Sequence, residues 1–331
     1  MPSIDPPRRS LALLFALVVA LAGCSTGQED DAGAGAKAQK GEIRIGAVMF
    51  ARDLEFWQLV EAGMRDAARS AGVKINVEVS NRQLATEAQL VDTLHARGDN
   101  VLVIAPLDNS ASVATLRKAD QYGMTVVQYN SKASEETFTH FVGVDNAELG
   151  RSVGKLAKEY VDAELGGRAK MALLTGDTEP NGTVRKNAFL KEVPGGKVAT
   201  TAEAVGSPEA GAKAFETVLQ SNPDIDVVWA WNGAAMQGAA VAAQRHKSKV
   251  KIFGIDMSKQ VAQIMRAPGS PVQAVADQHA YDVGKESVTL AIKAAKGAGA
   301  AATGVPPATY SAGDAKAIDA FLAELGKAGA K

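Results

Sequence analysis

The feature that most constrains the fold of this chain is the alternation of short apolar runs with longer amphipathic stretches from about residue 43 onward. Several runs, such as VLVIA, MALLT, VVWAW and KIFGI, are almost continuously apolar, which is typical of parallel strands covered by helices on both faces. The predicted strands are Ile43–Met49, Val73–Val79, Val101–Ala105, Thr125–Gln128, Lys170–Thr175, Val198–Ala202, Val227–Ala230, Lys251–Ile255 and Val272–Ala276.

The stretches between these strands have the periodicity of helices. The first predicted helix places Trp57, Val60, Met64, Ala67 and Ala71 on one stripe. Alternating strands and helices predict βαβ units and therefore a doubly wound α/β fold.

Two segments interrupt this alternation. Phe138–Val144 is an extended run with no helix before it, and Asp145 then begins a new helix as a cap. We interpret this run as a crossover between two lobes, each built on its own sheet. After Pro306, an extended piece around Tyr310 precedes a last helix that begins near Asp314.

The first 41 residues have the features of an export leader and a linker. Arg8 and Arg9 precede an apolar run, Leu11–Ala22, that is too short to span a membrane comfortably, so residues 1–23 are predicted to be a signal peptide. Leu21-Ala22-Gly23-Cys24 resembles the bacterial lipobox, which implies lipidation at Cys24; the alternative is an ordinary signal peptide with an incidental cysteine. Residues 24–41 then form a flexible tether, and we expect a cell-envelope lipoprotein held to the membrane only by its lipid.

Composition excludes several function classes. The formal net charge of -1 gives no electrostatic case for nucleic acid binding, and four scattered histidines with a single cysteine cannot build a Cys/His metal cage. The sequence has no phosphate-binding Gly-Lys-Ser/Thr loop, no His-Glu-x-x-His and no dinucleotide fingerprint after the first strand. We therefore expect a monomeric binding protein with no metal and no cofactor, and not an enzyme.

The body of the chain, from about Ile43 to about Gly297, resembles the periplasmic sugar-binding proteins of ABC importers. The resemblance is to the ribose- and xylose-binding branch of the type I periplasmic binding fold, which is also the fold of LacI-type repressor cores. The motifs that carry it, in chain order, are Phe56-Trp57, Val101–Pro106, Val142–Asn146 with Gly150, Asn222–Asp224, Asn232–Gly238, Gly254–Asp256, and Gln278 with Gly284.

This resemblance implies an architecture and a function. The chain would cross between lobes three times, near Val144, Gln278 and Pro306, which gives an N-terminal lobe of 42–144 plus 279–306 and a C-terminal lobe of 145–278 plus 307–331. The lobes would close on a small polar ligand, most often a monosaccharide, and deliver it to a membrane permease. ATP hydrolysis would belong to separate subunits.

A sugar offers apolar C–H faces that pack on aromatic rings and hydroxyls that bond to planar polar groups. Trp57 matches the position where the family stacks a ring on the sugar, and Phe56 could do either that or core packing. Trp57 as a plain core residue of its helix is the alternative. The polar residues that match family ligands are Asn130, Arg185, Asn232, Asp256 and Gln278, although Asn232 and Asp256 could instead be ordinary helix caps.

The sequence also departs from the ribose-binding pattern. Phe50 and Leu54 replace small or polar residues, Ser131 replaces an arginine, Gly233 replaces an acid, and Gly206 stands where a second stacking aromatic is expected. Another monosaccharide, a deoxy sugar, a polyol or a non-sugar ligand therefore remains open.

Three other classes of function are alternatives to that of an importer's binding protein. A ligand-sensing lipoprotein would bind its ligand identically and differ only in its docking partner. A transcription regulator would need a helix-turn-helix module ahead of Ile43, where the leader leaves no room. An enzyme would need a titratable pair in the cleft, and Asp256 with Arg185 has the character of a binding pair.

Overall fold

The computed structural model describes residues 41–299 and 301–327. The predicted signal peptide, Cys24 and nearly all of the tether lie outside these residues. In chain order the strands are β1 (Arg44–Met49), β2 (Lys74–Val79), β3 (Val101–Ile104), β4 (Thr125–Tyr129), β5 (Phe141–Gly143), β6 (Ala169–Thr175), β7 (Gly196–Glu203), β8 (Val227–Ala230), β9 (Lys251–Ile255), β10 (Val272–Asp277), β11 (Ala302–Gly304) and β12 (Ala308–Ser311).

The helices fall between these strands, as the periodicity predicts. They are α1 (Glu55–Ala71), α2 (Leu84–Ala96), α3 (Val113–Gln121), α4 (Asn146–Glu164), α5 (Gly182–Glu192), α6 (Pro208–Ser221), α7 (Gly233–Arg245), α8 (Lys259–Arg266), α9 (Ala280–Ala295) and α10 (Ala315–Lys327). No helix among the described residues is long and apolar enough to cross a membrane.

The strands form two sheets of six. The first has the order β11-β5-β4-β3-β1-β2 and is parallel throughout. The second has the order β12-β10-β9-β8-β6-β7 and is parallel except for β12, which pairs antiparallel with β10 at its edge. Helices cover both faces of each sheet, so the predicted doubly wound, two-sheet fold is confirmed.

The chain passes between the two sheets three times: after β5, after β10, and between β11 and β12. After the second passage, α9 returns to the first sheet and packs on α1, β3, β4 and β5. Every predicted strand is present to within two residues at either end, whereas β11 was missed because Ala-Thr-Gly has no apolar signal.

One detail of the predicted α1 stripe is wrong. Trp57, Val60 and Met64 are buried, but Ala68 continues the stripe, while Ala67 is only partly buried and Ala71 is exposed. The end of α1 after Ala68 therefore lies outside the core.

The α1–α9 contact depends on two glycines. A side chain carbon on Gly284 would lie 2.0 Å from the carbonyl oxygen of Val60, and one on Gly63 would lie 2.0 Å from that of Tyr281. The two helices approach so closely that only a hydrogen fits at these positions. This packing anchors the segment that returns from the second sheet.

We predict that Gly284→Ala destabilises the protein by about 1–3 kcal/mol, because backbone must move to admit the methyl group. The loss should appear despite the higher helix propensity of alanine, and chemical denaturation measures it. Gly299→Ala is the control, since no atom lies within 4 Å of the added carbon. Equal stability of the two variants would contradict the packing argument.

Candidate functional site

A cavity lies between the two sheets, at the carboxyl ends of their parallel strands. It encloses about 70 Å³. A cavity must offer at least about 10–15 Å³ of such volume to hold a single water, so this one has room for a small molecule. Its walls are Phe50, Leu54, Phe56, Trp57, Arg82, Asn130, Ser131, Glu179, Pro180, Asn181, Arg185, Val205, Gly206, Trp231, Asn232, Asp256 and Gln278.

The structure brings every predicted ligand-binding residue to this one cavity. From the first sheet come the loop and helix after β1 and the residue after β4; from the second come α5 and the residues after β8, β9 and β10. The residues so placed are Phe56, Trp57, Asn130, Arg185, Asn232, Asp256 and Gln278. Asp277, next to Gln278, does not line the cavity and instead accepts a hydrogen bond from the Met257 backbone N–H at 3.1 Å.

The wall from the first sheet is aromatic. Phe50 stacks on Trp57 with ring centroids 4.8 Å apart, and Phe56 meets Trp57 edge-on at 4.9 Å. Trp57 is 5% exposed and also belongs to the buried stripe of α1. The Trp57 ring therefore belongs to the buried stripe of the helix and also lines the cavity.

The wall from the second sheet has an aromatic residue that the sequence analysis missed. Trp231 follows β8 directly, and its indole N–H donates to the Ala204 carbonyl at 2.8 Å. A side chain carbon on Gly176 would lie 2.3 Å from the Trp231 ring, so this glycine makes room for the indole. Gly206 and Trp231 both line the cavity, so an aromatic ring reaches this wall from a different strand end. The sequence feature that could have identified Trp231 as a cavity residue is its position immediately before Asn232.

Asp256 organises the polar floor of the cavity. Its backbone has a left-handed φ of 76°, a conformation that aspartate tolerates better than most residues. One carboxylate oxygen accepts from the Gln278 amide at 2.5 Å, and the other accepts from the Gly233 backbone N–H at 3.2 Å. Asn232 caps α7 by accepting from Ala235 N–H at 2.9 Å, so it is a helix cap as well as a lining residue.

Arg185 is a buried cation in the wall of the cavity. It is 3% exposed and donates to Asn146 Oδ1 at 2.8 Å and to the Trp231 carbonyl at 3.4 Å. Burial lowers the pKa of Arg185, and the nearby charges of Asp256 and Glu179 oppose that effect. Guanidinium carries five N–H donors, so donors remain beyond the two that these bonds use.

Two further charged residues line the cavity and were missed by sequence reasoning. Arg82 has a left-handed φ of 59° and forms a two-pronged ion pair with Asp53, at 2.9 and 3.2 Å. Glu179 lies on the loop between β6 and α5; burial raises its pKa, the charge of Arg82 opposes this, Glu203 adds to it and Arg185 opposes it. Both residues occupy polar loops that look like ordinary surface in the sequence.

Direct hydrogen bonds join the two sides of the cavity. The Asn181 side chain amide, before α5, donates to the Asn130 carbonyl, after β4, at 3.1 Å. The Lys259 backbone N–H at the start of α8 donates to the Glu55 carboxylate at the start of α1, at 2.6 Å. The structure is therefore a closed arrangement in which the protein itself makes contacts across the gap. Among the described residues no group of three or more His, Cys, Asp or Glu side chains is placed to hold a metal ion.

Comparison with known proteins matches this chain to one family and to import binding proteins. Residues 45–299 match the family model described as "Periplasmic binding protein domain". The chain is 28% identical over 240 residues to the ABC transporter periplasmic-binding protein YphF of Escherichia coli, covering 69% of this chain and 73% of that protein. It is 25% identical over 222 residues to the ribose import binding protein RbsB of Bacillus subtilis, covering 66% and 72%.

Solved structures share the fold. One is a carbohydrate transporter solute-binding protein from Agrobacterium radiobacter in complex with D-arabinose. It superposes with a TM-score of 0.78 at 21% identity, over 85% of this chain and 99% of that one. At this identity the likeness establishes the architecture.

The Glu55–Lys259 contact yields a prediction about closure. Glu55→Ala should speed hydrogen exchange at the Lys259 amide, because that N–H loses its acceptor across the gap. Site-resolved hydrogen-exchange mass spectrometry or NMR measures the rate. Glu159→Ala removes the same charge from an exposed position on α4 and should leave the rate unchanged. An unaltered rate in Glu55→Ala would show that this contact does not hold the gap closed.

Asp277 yields a pH prediction. Burial raises the pKa of Asp277 to about 6, so the folded state binds this proton more tightly than the unfolded chain does. The stability contributed by the neutral carboxyl is therefore lost as pH rises between about 4 and about 6.

Asp277→Asn removes that loss while retaining an acceptor for Met257 N–H. Its melting temperature relative to the wild type should rise as pH passes from 4 to above 6. Asp120→Asn, at an exposed position, is the matched control for the loss of a carboxylate. A pH-independent difference for Asp277→Asn would contradict the expected protonation.

Proposed function

The chain belongs to the periplasmic binding protein domain family, and on that premise we propose that it captures a small polar ligand, a monosaccharide above all, and delivers it to an ABC permease. The relatives named above include a ribose import binding protein and a solute-binding protein with bound D-arabinose. We infer that this chain binds the same class of ligand as these proteins.

The single observation that carries the proposal is the composition of the cavity between the two sheets. Aromatic rings from both sides form its walls, and amide, guanidinium and carboxylate groups form its rim. Such a site suits a molecule with apolar faces and a ring of hydroxyls. The volume suits one ring rather than a longer chain of sugars.

The proposed mechanism is closure around the ligand. We assign 42–144 plus 279–306 to one lobe and 145–278 plus 307–331 to the other, in keeping with the membership of the two sheets. Because ligand contacts to both lobes exist only when the lobes are together, binding shifts the equilibrium toward the closed form. The permease would recognise that form. No bond of the ligand is made or broken in this mechanism.

Each predicted ligand-binding residue has a role in this proposal. Trp57 and Phe56 pack on a face of the ring, and Arg185 donates to ring or hydroxyl oxygens. Asp256 and Gln278 bind hydroxyls as one unit because they are already hydrogen bonded to each other. The roles of Asn130 and Asn232 are to donate and accept at the rim.

The location follows from the leader. We propose that residues 1–23 are removed on export, that Cys24 carries a lipid, and that residues 24–41 tether a monomeric body to the membrane at the cell envelope. The lipobox-like Leu21-Ala22-Gly23-Cys24 supports this assignment. The membrane contact would then be through the lipid alone.

The test is a thermal-shift screen of the full chain against monosaccharides, cyclitols, linear polyols and nucleosides. A ligand at about 100 times its dissociation constant stabilises the folded state by about 2.7 kcal/mol, which raises the melting temperature measurably. We expect a shift with a monosaccharide or cyclitol. A shift with nucleosides alone would overturn the sugar assignment.

Two variants test the site itself. Asp256→Asn and Arg185→Ala should each abolish or greatly reduce the shift, because one loses charge-assisted acceptance and the other loses the donor fork. Asp120→Asn is the matched control for the loss of a carboxylate. Unchanged affinity in both site variants would refute the proposed binding site, even if a sugar still binds elsewhere.

A further inference from the structure

Glu179 presents a carboxylate to the cavity that has no hydrogen-bond or ion-pair partner among residues 41–299 and 301–327. Among the described residues, neither Arg82 nor Arg185 comes within 4.0 Å of it, and no side chain or backbone N–H donates to it. Asp256, the other acid in the cavity wall, accepts hydrogen bonds from Gln278 and Gly233. A partly buried carboxylate that lacks donors favours a ligand that supplies one.

The loop that carries Glu179 is held in place. The backbone N–H of Glu179 donates to the Gly176 carbonyl at 3.0 Å, and the carbonyl of Glu179 accepts from the Gly182 N–H at 3.2 Å. A side chain carbon on Gly182 would lie 1.8 Å from the Gly176 oxygen, so the turn closes tightly. The carboxylate is thus presented by a rigid element, which is what selectivity requires.

The charges around the cavity do not balance. Arg82 forms a two-pronged ion pair with Asp53, and Arg185 lies near the charge of Asp256. The charge of Glu179 has no cation paired with it among the described residues. The Glu203 carboxylate beside it adds further negative potential, although the hydrogen bonds of Glu203 are satisfied by hydroxyl and N–H groups of Thr175 and Thr178. The nearby Lys186 is paired with Asp177. The local potential therefore favours a ligand with a positive charge and disfavours an anionic one.

We propose that Glu179 makes the cavity selective for a polyhydroxylated ring that bears a primary ammonium group, such as an amino sugar or an aminocyclitol. This inference rests on the proposed sugar-binding function and names the ligand class within it. The ammonium group donates to the Glu179 carboxylate and supplies the missing positive charge.

The aromatic walls support the same class of ligand. Phe50, Trp57 and Trp231 line the cavity with Glu179, and the faces of such rings attract a cation. Ring hydroxyls remain available for Arg185 and for the Asp256–Gln278 pair. A cationic amine and neutral hydroxyls are thus matched to different parts of the same cavity.

The test compares matched ligands by isothermal titration calorimetry with the full chain. The pairs are D-glucose with D-glucosamine, D-galactose with D-galactosamine, and myo-inositol with an amino-inositol; D-glucuronate and D-galacturonate serve as anionic counterparts. We expect at least one amine to bind about tenfold or more tightly than its parent, as a charge-assisted hydrogen bond provides, and the anions not to bind.

Glu179→Gln should remove the preference for the amine without lowering the melting temperature of the unliganded protein. Glu164→Gln deletes the same charge from the exposed end of α4 and should keep the preference. Parent sugars that bind as tightly as their amines, or a preference that survives in Glu179→Gln, would overturn the role of Glu179 and leave sugar binding intact. Absence of binding to every neutral sugar, cyclitol and amine would overturn the proposed function, and this inference with it.

Discussion

The carboxyl ends of parallel strands, and the loops that follow them, lie at one edge of a sheet. In this protein both sheets turn that edge toward the same cavity. The loops after β1, β2 and β4 meet those after β6, β7, β8, β9 and β10 there. The rest of the arrangement depends on this constraint, because it concentrates polar and aromatic side chains from distant parts of the chain. Three passages between the sheets keep the two edges facing each other while leaving few covalent connections to resist closure.

Placing so many polar groups in a shielded gap has an energetic cost, and the protein offsets it by bonding them to one another. Asp256 accepts from Gln278 and Gly233, Arg185 donates to Asn146, and Arg82 pairs with Asp53. These bonds keep the groups in fixed positions before a ligand arrives, which reduces the ordering cost of binding. Left-handed backbone at Asn130, Asp256 and Arg82 is part of the same arrangement, since strain of this kind concentrates at functional sites.

The features that the sequence predicted are those with a local cause. Strand positions follow from short apolar runs, and residues directly after strands, such as Asn232 and Asp256, lie at the edge of a sheet for that reason alone. The family resemblance added Arg185 and Gln278 by position. Trp231, Arg82 and Glu179 were missed because their presence at the cavity depends on which loops face one another. Gly176, which makes room for the Trp231 ring, carries no signal of that role in the sequence.

The class of fold, the order of its elements and the strand ends at which the cavity-lining residues lie follow from the sequence, because periodicity and burial act over a few neighbouring residues. The residues that stand opposite them across the cavity depend on the tertiary structure. The second aromatic wall, the hydrogen bond from Lys259 to Glu55 and the unpaired carboxylate of Glu179 all follow from loops far apart in the chain meeting across a gap. The charge balance of the cavity and the contacts that close it depend on which loops face each other, so no local sequence pattern predicts them.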